Sequence, residues 1–91
     1  MSQPEKTRTT VDIYGKSYTI IGEEHAHHVR MVASLVDQKM RDIYEANKSL
    51  DTTKLAVLTA VNTMNDYLKL RDEYTELLGL IKQKEDQEKN D

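Results

Sequence analysis

Residues 52–91 contain no proline and a single glycine, Gly79. Nothing there stops a helix once one has started. One helix of about 38 residues would run roughly 57 Å at 1.5 Å per residue, longer than any domain this chain could build is wide. Its apolar residues must therefore find cover elsewhere. Heptads with position a at Val57 place Val57, Ala60, Met64, Tyr67, Arg71, Tyr74, Leu78 and Ile81 at a and d, and only Arg71 breaks the stripe. Val61 and Leu68 widen it on one flank, and Ala56, Leu70 and Leu77 on the other, so the face exceeds the narrow seam of a two-stranded coil. The pattern predicts an oligomerisation helix over 52–81, self-associating as a homodimer or tetramer. Residues 82–91 carry seven charges in ten positions and no stripe, which predicts a fraying tail. Composition agrees: 37% hydrophobic and 5% aromatic residues, with no Trp or Phe, give a lone chain little to bury.

Upstream the period changes. Residues 1–6 hold the only proline, Pro4, and read as a disordered lead-in. Thr9, Val11 and Ile13 then alternate with Thr10, Asp12 and Tyr14, the period of a half-buried strand. Gly15-Lys16 reads as a two-residue type II′ loop, which pairs Ile13 with Tyr18 and Val11 with Ile20 and sets Val11, Ile13, Tyr18 and Ile20 on one face. A hairpin is not stable alone, so something downstream must cover that face. After Gly22 and the acidic pair Glu23-Glu24, Val29, Val32, Ala33, Val36, Met40 and Ile43 recur at helical spacing, predicting six amphipathic turns ending near Asn47. Asp51 and Thr52 are N-cap candidates for the long helix. The expected fold is α+β and mostly α: a ββα head over 7–47, a turn over 48–51, and a long coiled-coil helix.

Charge and motifs exclude several functions. Thirteen Lys/Arg stand against sixteen Asp/Glu; neither half of the chain is basic, which disfavours a nucleic-acid binder. There is no cysteine, hence no disulfide, thiol catalysis or thiolate metal site. The first residues are too polar for a signal peptide, and no apolar run approaches the roughly 18 residues that cross a bilayer, so a cytoplasmic protein with no membrane partner is expected. Gly15, Gly22 and Gly79 stand alone and form no phosphate loop. No serine sits in a nucleophile elbow. His25 and His28 could share a helix face, but four ligands are needed and only Glu24 is local; an exposed first turn is the simpler reading. Neither a metal, a cofactor nor an enzyme is expected. Arg71 has two readings: its stem reaches past the seam to water, or it meets Asp72, Glu73 or Glu76 of another chain and sets helix register. Tyr67 and Tyr74, one heptad apart, read as core. Lys16 projects from the expected hairpin tip, where a lone lysine is usually just solvated.

Two stretches resemble a known family. Val11-Asp12-Ile13-Tyr14-Gly15-Lys16-Ser17-Tyr18 and Leu55-Ala56-Val57-Leu58-Thr59-Ala60-Val61-Asn62 are similar to the two signature segments of ZapA, a family of bacterial cell-division proteins. The order hairpin, helix, long helix matches over nearly the whole chain, and the truncated coiled coil resembles the family's short, Bacillus-type members. The resemblance implies a non-catalytic partner of the tubulin-like GTPase FtsZ that cross-links its protofilaments and promotes the division ring at midcell. By the same resemblance, basic positions of the head fall on Lys16 and Lys48; Arg41 and Lys54 lie nearby in sequence and are added as candidates. The competing reading is a generic coiled-coil adaptor whose head binds another protein.

Overall fold

The alternating segment and the residues after it form a hairpin in the computed structural model, which describes residues 6–89. Strand β1 (Thr7–Ile13) pairs antiparallel with β2 (Lys16–Gly22), followed by helices α1 (Ala26–Ala46) and α2 (Thr52–Lys89). The α+β, mostly α class read from the sequence is the class observed. Apart from Lys6, the expected lead-in lies outside the described residues, as do residues 90 and 91 of the charged tail.

The register differs from the expected one. Val11 faces Tyr18, Thr9 faces Ile20, and Ile13 faces Lys16, so the loop is Tyr14-Gly15 rather than Gly15-Lys16. Both loop residues have positive φ, 50° at Tyr14 and 80° at Gly15, the signature of a type I′ turn, whose twist suits the flanking strands. An aromatic residue seldom takes the first of these positions, which is why the sequence favours glycine there. Each β1 residue meets a β2 residue two places nearer the turn than expected; the shift is even, so the faces survive. Thr9, Val11, Ile13, Lys16, Tyr18 and Ile20 share one side of the sheet.

Helix α1 packs on β1. Its stripe delivers Val29 and Ala33 against Val11, with Ile13 beside them, while Met40 is buried farther along. The helix starts at Ala26, later than the Glu23-Glu24 pair, which lies in the connection; the Thr7 hydroxyl donates to Glu24 O at 2.8 Å and to Gly22 O at 3.2 Å, tying that connection to the start of β1. Asn47 ends α1, its N–H donating to Ile43 O and Tyr44 O, and its Oδ1 accepts from the Ser49 amide and hydroxyl. Asp51 Oδ1 then accepts the Lys54 amide at 2.8 Å, so Asp51 is the N-cap of α2.

The chain divides into one unit ending at Thr59 and one beginning at Ala60. The first therefore reaches beyond Asn47, where the sequence ends the head, because Leu55 and Thr59 on the opening turns of α2 are buried. The Thr59 hydroxyl donates to Leu55 O at 2.8 Å, which satisfies it within the helix. Among the described residues Thr9 Oγ1 is buried with no hydrogen-bond partner, a cost on the order of 1–3 kcal/mol. In the second unit the helix continues to Lys89, past residue 82 where fraying is expected; Lys, Glu and Gln are good helix formers and need no apolar stripe to continue one.

Candidate partner-binding surface

The turn at Tyr14 is held from α1. Asp37 Oδ1 accepts the Tyr14 amide at 2.7 Å, and its other oxygen accepts Arg41 Nε at 2.9 Å. The Arg41 guanidinium lies 5.6 Å from the centre of the Tyr14 ring, within reach of a cation–π attraction. Tyr44 meets the same ring edge-on, with centroids 6.4 Å apart and planes inclined at 64°. Hydrogen bonds from Arg41 and from the Tyr14 amide hold the Asp37 carboxyl below its ordinary pKa, against a smaller opposing effect of desolvation. The Arg41 guanidinium is pushed up by the same pair. This clamp accounts for an aromatic residue at positive φ, since α1 supplies contacts that offset the backbone strain.

The four candidate cations are thereby separated in kind. Arg41 is committed to Asp37 and Tyr14. Lys16 is exposed, but it is the first residue of β2, opposite Ile13, rather than a loop-tip residue. Its side lies with the apolar face of the sheet, and it borders a depression of about 400 Å³ formed with Tyr14, Tyr18, Ile20, Met40 and Ala56. Lys48 lies in the α1–α2 connection, exposed, with Nζ 3.6 Å from Glu45; such a surface pair holds its partners weakly. Lys54 sits on the first turn of α2, exposed beside Leu50, Val57 and Leu58. Lys16 and Arg41 thus converge on Tyr14, whereas Lys48 and Lys54 border the connection.

On α2, Leu55 and Thr59 are buried while Val57, Val61, Met64, Tyr67, Leu68, Tyr74, Leu78 and Ile81 are all exposed in the single chain, between 41% and 60%. Ala60 is exposed as well. At 100° per residue, Leu55 and Val57 lie on nearly opposite sides of the helix, so the side that closes the head core is not the a/d side. Arg71 reaches Asp72 of its own chain at 3.5 Å, both side chains exposed. Among the described residues no group of three or more His, Asp or Glu side chains could hold a metal ion, and no helix is long and apolar enough to cross a membrane.

A hairpin, a helix and a long helix, in that order, are the parts the resemblance calls for. Residues 9–90 match the family described as "Cell division protein ZapA". The chain belongs to the ZapA family. A ZapA of Oceanobacillus iheyensis is 64% identical over 86 residues, covering 94% of this chain and all of that one. The Bacillus subtilis ZapA is 54% identical over 85 residues, covering 93% and 100%. Among solved structures, a ZapA mutant dimer from Geobacillus stearothermophilus superposes with a TM-score of 0.71 at 49% identity, over 90% of this chain and 95% of that one.

In this member of the ZapA family the sequence reading missed Asp37 and Tyr44. The signal for the first was present: Asp37 and Arg41 stand four apart on a helix, the spacing of a side-chain ion pair. Nothing local pointed to Tyr44, which matters only because the turn comes back against α1.

Proposed function

We propose that this chain is a non-catalytic cross-linker that binds FtsZ protofilaments through its head, self-associates through α2, and so bundles filaments in the division ring at midcell. The observation that carries the reading is the use of two sides of α2: the Leu55 and Thr59 side closes the head core, and the a/d side stays exposed. Heads can then be joined without consuming their outer surface, and a particle with two heads gains avidity from weak contacts. The ZapA family, and the mutant dimer of the Geobacillus stearothermophilus ZapA, support self-association.

Lys16, Lys48 and Lys54 are the exposed cations of the contact, steering the head to an acidic filament. Arg41 contributes indirectly, by fixing the turn that positions Lys16. Co-sedimentation with FtsZ and GTP tests this. Lys16→Glu is expected to keep its helical circular-dichroism signal and its stability within about 0.5 kcal/mol, as surface changes usually do, while losing co-sedimentation and bundling. Lys48→Glu should lose less. A Lys16→Glu protein that bundles filaments like the parent at moderate salt would place the contact elsewhere.

A further inference from the structure

Two hairpin registers are compatible with this sequence. In the observed one Tyr14-Gly15 is the loop, and Thr9, Val11 and Ile13 face Ile20, Tyr18 and Lys16. Sliding β2 by two residues, about 6.6 Å at 3.3 Å per residue, makes Gly15-Lys16 the loop and leaves every side chain on its own side of the sheet, because the slip is even. Locally the second register is the better one. It pairs Ile13 with Tyr18 and Val11 with Ile20, so both apolar residues of β1 meet apolar partners. Its loop has glycine first, as a type II′ turn requires, and asks no positive φ of Tyr14. In the observed loop Tyr14 sits at 50°, a conformation that aromatic residues seldom adopt.

The opposing force comes from α1. Ile13 and Lys16 close the observed ladder as a bonded pair, which leaves the Tyr14 amide outside it, and Asp37 Oδ1 accepts that amide at 2.7 Å. In the second register Tyr14 and Ser17 would be the closing pair, and the same amide would donate to Ser17 O. The ring contacts are tied to the observed register too. As a strand residue Tyr14 would follow Thr10 and Asp12 in the alternation and turn its ring to their side, away from Tyr44 and Arg41. The Asp12–Ser17, Thr10–Thr19 and Thr7–Glu24 bonds would also be given up, but all three are exposed, where exchange with water keeps their net contribution small. Slack is available after β2, where Glu24 would come to the place of Gly22. Among the described residues His25 makes no side-chain cap bond and the first turn of α1 holds no acidic residue, so that turn lacks the usual N-terminal support and can release residues.

From this opposition we propose that the hairpin is a two-register switch latched by Asp37: while the Asp37–Tyr14 bond is made the Tyr14-Gly15 register is the populated one, and its release lets β2 slip two residues into the Gly15-Lys16 register. The slip carries Lys16 from the rim of the depression beside Tyr18 and Ile20 into the loop, so the two states present different head surfaces. Neither register depends on the FtsZ reading. Such a switch needs local preference and tertiary contacts to favour different states by similar amounts. Here the pairing and the turn favour one register, and a single carboxylate with the two side chains beside it favours the other.

The test reads cross-strand Hα–Hα contacts by NMR in the full chain, since these are short only in the non-bonded pairs of an antiparallel ladder. The parent should show Asp12–Ser17 and Thr10–Thr19. Asp37→Ala is expected to weaken that set at least tenfold and to gain Ile13–Tyr18 and Val11–Ile20 in its place. Tyr14→Val, which keeps Asp37 but puts a β-branched residue where φ must be positive, should gain the same second set. Adding Tyr14→Asn to Asp37→Ala should bring the first set back, because Asn-Gly is the preferred type I′ pair. Three results overturn the switch: an Asp37→Ala chain that keeps the first set at parental intensity, loss of the hairpin in both single variants with no second set, or a double variant that stays in the second set.

Discussion

Tyr14 pairs an unfavourable backbone conformation with tight external support. Its φ of 50° is one that aromatic side chains seldom adopt, and the Asp37 carboxylate, the Arg41 guanidinium and the Tyr44 ring converge on it from one helix. The carboxylate is the shared member of that group. Its pKa in the fold lies below the ordinary 3.8, so the ionised form is favoured by folding. The resulting contribution to stability is complete above the ordinary value and is lost as pH falls through the lower folded-state value. Asp37→Ala, which abolishes both the charge and the acceptor, should therefore melt below the parent at pH 7. The gap should narrow as pH falls below the ordinary carboxylate range and the parent's own carboxyl takes up its proton. A gap that stays constant through that uptake would show that the charge of Asp37 does not hold the turn.

The two helices illustrate opposite limits of what a pattern reveals. For α1 and the strands, periodicity placed every element and the correct faces, because alternation and helical spacing are local properties of the chain. The hairpin register was not legible, because the energy that selects Tyr14-Gly15 over Gly15-Lys16 comes from a residue 23 positions away. Among the site residues, exposure of Lys16, Lys48 and Lys54 was readable from their charge, while the commitment of Arg41 required noticing Asp37 one turn earlier. For α2, Asp51 announced the start, but Leu55 and Thr59 were not legible as core, since they fall outside the heptad stripe and are buried only by the head. Gly79 belongs to this scale as well. Nothing lies within 4 Å of where its Cβ would be, so the side chain of an alanine costs no clash and removes a helix-weakening residue worth about 1 kcal/mol. Gly79→Ala should slow amide exchange over residues 80–88 about fivefold, the factor that 1 kcal/mol gives in an equilibrium. Unchanged exchange there would mean that the helix end is held by something other than its own propensity.

At the scale of the whole molecule, the question is what the exposed stripe of α2 does. An apolar series from Val57 to Ile81 left in water is larger than a stable monomer usually presents, and a charge set into its middle is the direct probe. Met64 occupies an a position and is 55% exposed in the single chain, so within one chain Met64→Asp costs only the lower helix propensity of aspartate, about 0.5 kcal/mol, but it buries a carboxylate wherever two stripes meet. Light scattering should fall from an oligomeric mass toward the 10.5 kDa of one chain, and the transition should depend on concentration, because assembly and the stability of α2 are linked. The core of Val11, Val29, Ala33, Met40 and Leu55 lies wholly within the unit ending at Thr59, so the hairpin amides should keep their dispersion while signals of α2 beyond Ala60 collapse toward random coil. With FtsZ, a monovalent head should still sediment weakly with filaments yet fail to bundle them, since cross-linking needs two heads and binding needs one. A Met64→Asp protein that stays oligomeric would remove α2 as the joining element, and one that is monomeric yet still bundles would remove bivalency as the mechanism.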